Sequence, residues 1–161
     1  MVVGASNTAS NNSLNIEAKA DGWSRQSEEL SFADLDELKG IPPLEPKSGE
    51  EFPLPKWYRS IYRKPLCDLS VEDLCKACRQ GIHCEGVVPL VVKRLEAEPL
   101  AGEMFEGELL VSLSAISNEY WAAHTKAGRK AEALINRVME LIPDDVRSDA
   151  NECLQKIKGM R

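Results

Sequence analysis

Between Ser70 and Leu95 the apolar residues recur at α-helical spacing on both sides of a single glycine, and no other feature constrains the fold of this chain as strongly. Val71, Leu74, Cys75 and Cys78 fall at i, i+3, i+4 and i+7, which puts them on one stripe facing a core. Ser70 stands three residues before Asp73, so each side chain can satisfy an N–H that the first helical turn leaves unpaired. Arg79 and Gln80 close the pattern, and Gly81 offers the left-handed conformation that ends a helix. Beyond Ile82 and His83 a second stripe runs through Cys84, Val87, Val88, Val91, Val92 and Leu95. Pro89 fits that helix if it begins near Glu85 or Gly86, because the missing N–H then belongs to a turn that does not use it. Pro99 and Gly102 stop the helix.

The flanks extend the same pattern. Residues 1–22 are rich in Ser, Asn, Ala and Gly and carry too few large apolar side chains to offset their ordering entropy, so a flexible tail is expected there. Ser31 and Asp34 repeat the capping pattern ahead of Leu35 and Leu38, and Gly40 closes a short helix. Prolines at 42, 43, 46, 53 and 55 mark residues 40–55 as an extended connector. Trp57, Tyr58, Ile61 and Tyr62 follow at helical spacing among Lys56, Arg59, Arg63 and Lys64, which reads as a helix that packs its aromatics and solvates its charges rather than as a base-stacking platform. Leu109, Leu110, Leu113 and Ile116 continue as a helix. A longer pattern after Tyr120 and Trp121 buries Ala127, Ala131, Leu134, Ile135, Val138 and Ile142 and stops at Pro143. Asp144 or Asp145 can cap a last helix with the stripe Val146, Ala150, Cys153, Leu154 and Ile157. The only β-branched run, Val87 to Val92, has helical flanks. The expectation is an all-α fold: one helical domain of about six helices over residues 23–161, behind the tail.

Charge and cysteine usage narrow the function. A formal net charge of −6 disfavours nucleic acid as a partner, because phosphate neutralisation needs a basic face, and suits a basic protein. The longest apolar run, Val87 to Val92, is far short of the ~20 residues that span a bilayer, and the N-terminus carries no basic region followed by an apolar block. A cytoplasmic protein that does not engage the membrane is expected, and its five cysteines then read as reduced thiols. Cys75-x-x-Cys78 with His83 and Cys84 close behind raises an alternative, a metal-binding or redox-sensing regulator. A structural zinc site needs two spaced ligand pairs and no distant second pair exists, so packing of these thiols in the core is the preferred reading. His83 and His124 sit in no nucleophile signature, and there is no phosphate loop or nucleophile elbow. The chain therefore reads as a binding protein without cofactor or catalytic residues, with a small enzyme of non-local active site as the remaining option.

The segments RKPL (63–66), SVEDL (70–74), QGI (80–82), VPL (88–90) and RLEAEPLAGEMFEGELL (94–110), in that order and spacing, resemble the immunity proteins of contact-dependent growth inhibition (CDI) systems. The likeness covers about Arg63 to Ile116, with LDELKGIPP (35–43) and NEYW (118–121) as looser ends. His83 and Cys84 depart from it, standing where the family more usually has Gly and an aliphatic residue. The resemblance implies a protein that binds the C-terminal toxin domain of its cognate effector, one to one, and blocks it, the toxin being a nuclease and often one that acts on tRNA. Within the family-like block Glu96, Glu98, Glu103, Glu106 and Glu108 form a run without Lys or Arg around a turn containing Pro99, Gly102 and Gly107. Carboxylates on a turn can pair with the Arg and Lys that a nuclease uses to hold phosphates. These five residues are the candidate toxin-binding set, together with Glu72 and Asp73 at the start of the helix after Ser70 and with Phe105 and Trp121 as exposed aromatic anchors.

Overall fold

The structure, a computed structural model, describes residues 25–45, 49 and 51–160, so the expected tail over residues 1–22 lies outside it. The chain divides between Leu69 and Ser70 into two units. Every regular element among the described residues is helical, and the fold class is all-α. Nine α-helices are present there where about six were expected, in part because one short helix precedes Ser31 and another holds Tyr120 and Trp121 ahead of the long pattern.

The first unit holds α1 (Arg25–Glu28), α2 (Phe32–Leu38) and α3 (Pro53–Ile61), followed by a 3-10 turn over Leu66–Asp68. Ser31 caps α2 as its sequence indicates: its Oγ accepts the Asp34 N–H at 3.2 Å, and Asp34 Oδ2 accepts the Ser31 N–H at 2.8 Å. The connector expected over 40–55 gives way to helix at Pro53. Pro53 and Pro55 occupy the first and third positions of α3, where the absent N–H groups would have had no intrahelical partner. Tyr58 lies between Phe32 and Tyr62, with ring centroids 5.7 and 5.6 Å away. The Tyr62 hydroxyl donates to the buried Asp36 carboxylate at 2.7 Å. Ile61 at the end of α3 and Tyr62 just beyond it are buried, Trp57 and Tyr58 are half-buried, and Arg59 of the same helix is held by Glu51 at 3.1 Å.

The second unit contains α4 (Val71–Gln80), α5 (Cys84–Ala97), α6 (Glu108–Ser112) running into a 3-10 turn over Leu113–Ala115, α7 (Asn118–Ala123), α8 (Thr125–Val138) and α9 (Asp144–Gly159). Ser70 and Asp73 form the capping box, each side chain taking the other residue's backbone N–H at 3.1 Å, and Gly81 ends α4 at φ 63°. α4 packs on α5 and α6, α5 on α8, and α9 runs across α6, α7 and α8. The core between them includes Leu74, Val87, Leu95, Leu109, Leu113, Ile116, Trp121, Ile135 and Ala150, all 3% exposed or less. Cys75, Cys78 and Cys153 belong to this core.

Three local expectations are corrected. α5 begins at Cys84 rather than near Glu85 or Gly86, which leaves Pro89 inside the helix at its sixth position. The early start is set by His83, a non-glycine residue in left-handed conformation at φ 41°. A residue with a Cβ pays a steric penalty in that conformation which glycine would not meet. The long helix expected after Tyr120 and Trp121 forms as α8 but ends at Val138 rather than at Pro143, and Tyr120 and Trp121 lie in a short helix of their own, α7, which stops at His124, where the backbone leaves the helical region at φ −124° and ψ 62°. Finally, neither Asp144 nor Asp145 caps α9: both lie in its first turn behind Pro143, where their charge favours the helix N-terminus, and Asp144 pairs with Arg147 at 2.7 Å.

Candidate functional site

The candidate acidic turn is an ordered loop, residues 98–107, strung between the end of α5 and the start of α6. Its path is closed by backbone hydrogen bonds from Gly107 N–H to Leu100 C=O at 3.0 Å and from Leu109 N–H to Ala101 C=O at 3.1 Å. Gly102 is required by crowding, because a Cβ there would stand 2.0 Å from the Phe105 carbonyl oxygen and 2.9 Å from Glu108 Cβ. Gly107 is required by conformation, with φ 86°, and by the side chain of Val146 at 3.0 Å.

One carboxylate organises this loop. Glu108 is 3% exposed, and its Oε2 accepts the backbone N–H groups of Glu103 at 2.8 Å and Met104 at 2.9 Å. Its Oε1 receives Arg79 Nη2 of α4 at 2.9 Å. Burial pushes the Glu108 carboxyl up, but the Met104 N–H, the Arg79 guanidinium and the Glu103 N–H outweigh that and hold it below the usual glutamate value. Glu108 is thus a structural anion, not a carboxylate offered to a partner, which corrects its place in the candidate set. Arg79, read from sequence only as a helix-closing residue, is its counter-ion. No local pattern links two residues 29 positions apart.

The other candidates separate in the same way. Glu96, Glu98, Glu103 and Glu106 are exposed, and their side chains make no ion pair or hydrogen bond among the described residues. Glu72 is exposed but engaged with Lys76 at 2.7 Å. Asp73 is buried as the reciprocal member of the cap. Phe105 is 46% exposed, beside Met104 at 83%. Trp121 is 1% exposed and packs edge-on to Tyr120 with centroids 5.1 Å apart, so it is a core residue rather than the exposed anchor expected.

Beside the loop lies an open cleft of about 590 Å³, lined by Val71, Pro99, Leu100, Ala101 and Leu141, with Gly102 in its wall and Glu98 and Glu103 contributing the carboxylates. Leu141, 61% exposed, sits in the connection between α8 and α9. It was missed in the sequence because it lies outside the α8 stripe and no local pattern aims it at residues 98–103.

The cysteine alternative does not find its geometry. No three His, Cys, Asp or Glu side chains among the described residues stand so as to hold a metal ion. Burial, with Cys84 and Cys75 adding, pushes the Cys78 thiol well up, and burial also raises Cys75 and brings Cys153 to about 12. Such thiols are poor nucleophiles and poor ligands. His83 Nδ1 faces Glu85 Oε1 at 3.5 Å instead. No helix among the described residues is long and apolar enough to cross a membrane.

In comparison with known proteins, a family model described as CDI immunity proteins matches residues 41–132, which is 92 of the 161 residues. No curated protein sequence matches the chain.

Proposed function

We propose a function whose premise is that this chain belongs to the family of CDI immunity proteins: as a toxin-neutralising immunity protein, it acts by covering the active cleft of the toxin domain of its cognate effector. The toxin is proposed to be a nuclease, with a tRNase as the specific form, and neutralisation to be stoichiometric, one to one, in the cytoplasm and without catalysis by this chain. The observation that supports the reading of the interface is the loop over residues 98–107, where Glu98, Glu103 and Glu106 stand exposed without a cation of their own next to exposed Met104 and Phe105.

The chemistry follows from what a nuclease must carry. A protein that binds phosphates presents Arg and Lys in a cleft, and an acidic surface approaching it gains long-range attraction that speeds encounter. The side chains of Met104 and Phe105 supply apolar area at the centre of the same loop, and interface energy concentrates in such anchors. Glu96 at the end of α5 adds to the negative field, and Glu72 at the start of α4 joins it on giving up Lys76. Glu108, Asp73 and Trp121 support the surface from within.

Co-expression of this protein with the toxin domain encoded beside its gene tests the reading. Rescue of growth and an equimolar complex are expected, and a protein that neither binds nor rescues refutes it. Within a complex, converting Glu98, Glu103 and Glu106 to Lys is expected to slow association at least tenfold at low salt while dissociation changes less. Three reversals add +6 and bring the formal net charge from −6 to zero. Reversal of Glu119, Asp149 and Glu152 produces the same net charge at residues outside the loop and the cleft lining, so equal slowing by both sets would assign the effect to overall charge and not to the loop.

A further inference from the structure

We infer that the cleft beside the loop is the seat of a basic, apolar-tipped segment of the toxin: one large apolar side chain enters between Leu141 and residues 99–101, and Lys or Arg residues on either side of it meet Glu98 and Glu103. The inference rests on the immunity reading and specifies its contact. The lining supports this occupant in three ways. Its floor is apolar, from Val71, Pro99, Leu100 and Ala101, and water against such a surface is displaced favourably by an apolar side chain. Among the described residues its only charged lining residues are Glu98 and Glu103, at the two ends of the segment that forms the wall, and neither makes an ion pair there, so both are open to an incoming cation. Its volume of about 590 Å³ is large enough to admit a protruding segment and not only a single methyl group, while its open mouth suits a side chain delivered by another protein's surface.

The wall is also held in advance. Glu108 fixes residues 103 and 104 through two backbone N–H groups, and the Gly107 to Leu100 and Leu109 to Ala101 hydrogen bonds fix the other side. A cleft whose backbone is already ordered costs less entropy to fill than one formed on contact. Leu141 is the useful probe because it is largely exposed, so replacing it does not empty the core.

The test is binding of the toxin domain to the Leu141→Arg variant, with the melting temperature of each protein measured alone. Arginine fills the mouth of the cleft and repels a basic segment, so a loss of affinity of at least tenfold with an unchanged melting temperature is expected. Toxin binding by Leu141→Arg equal to that of the unaltered protein overturns the cleft while leaving the immunity reading intact. Failure of the unaltered protein to bind its toxin overturns both. If the arginine variant melts markedly lower, a photo-cross-linking aromatic residue at position 141 in the otherwise unaltered chain decides. Capture of a toxin segment with an apolar residue flanked by Lys or Arg supports the assignment, and capture of an acidic segment or of none refutes it.

Discussion

Replacing Glu108 is the sharpest test of how the loop is built. The carboxylate receives two backbone N–H groups and one guanidinium N–H, all between 2.8 and 2.9 Å, at a site 3% exposed. Hydrogen bonds to a charged group contribute about 1.5–3 kcal/mol each, and a buried donor left unpaired costs about 1–3 kcal/mol. The three do not add in full. Arg79 is 43% exposed in its side chain and regains water, and the N–H groups of Glu103 and Met104 regain water once the loop opens. The cost is therefore capped by loop opening, and Glu108→Ala is expected to destabilise the protein by about 2–4 kcal/mol. Glu108→Gln keeps a neutral acceptor for the two N–H groups but turns an ion pair into a weak contact, and its cost is expected near the low end of the charged range, about 1.5 kcal/mol.

Hydrogen exchange at two amides separates this account from a generic core effect. The N–H groups of Glu103 and Met104 are held by Glu108 Oε2, so both are expected to exchange much faster in Glu108→Ala, while amides in the middle of α8 keep their protection relative to the global stability. Unchanged exchange at both positions would refute the latch. Acid provides a second reading. Because the folded carboxyl titrates below the usual glutamate value, its stabilisation is fully present above about 4.3, the unfolded value, and is lost as the pH falls through the lower folded value. The stability gap between the unaltered protein and Glu108→Gln is expected to narrow on acidification through that window.

Two further outcomes follow from the same geometry. Gly102→Ala places a Cβ against the Phe105 carbonyl, a backbone atom that cannot swing aside, so a loss of about 1–3 kcal/mol on chemical denaturation is expected, with weaker toxin binding as the loop shifts. In a thiol titration of the native protein, Cys67 is expected to react first because it is exposed, and Cys75, Cys78 and Cys153 only on unfolding because burial keeps them protonated and covered; rapid reaction of all five would contradict the packing of the second unit.

What the sequence disclosed was set by distance along the chain. The two capping boxes, Ser31 with Asp34 and Ser70 with Asp73, are exchanges between residues three apart, and the structure forms both. Gly81 ends α4 for a reason local to one residue, and the apolar stripes of α8 and α9 are buried where their periodicity placed them, as are those of α4 and α5 except at their first residues, Val71 and Cys84, which are only half-buried. Errors arose where a residue's state depends on something remote or on a competing local rule. Pro89 suggested a later helix start than His83 sets. The stripe from Ala127 continued to Ile142, and no proline or glycine before Pro143 announces the end of α8 at Val138. Trp121 adjoins charged and small residues in sequence, and only the packing of α7 on α8 and α9 shows it to be interior.

The acidic run shows the same limit at the site itself, and it bears on how the interface should be sought. Five glutamates between Leu95 and Leu110 are chemically alike in sequence, yet one is almost fully buried and neutralised by Arg79, while four are exposed and carry no cation among the described residues. A scan that converts each to alanine would find its largest loss of toxin binding at Glu108, for a reason that involves no contact with the toxin. The distinction lies in kinetics and salt. Loss of Glu108 disorders the loop, so a fraction of molecules must first regain the binding shape and the deficit persists at high salt. Loss of Glu98, Glu103 or Glu106 removes attraction between separated surfaces, so the deficit lies in association and fades as salt screens it. Affinity alone would rank the latch as the interface, whereas its response to salt identifies the carboxylates that face the partner.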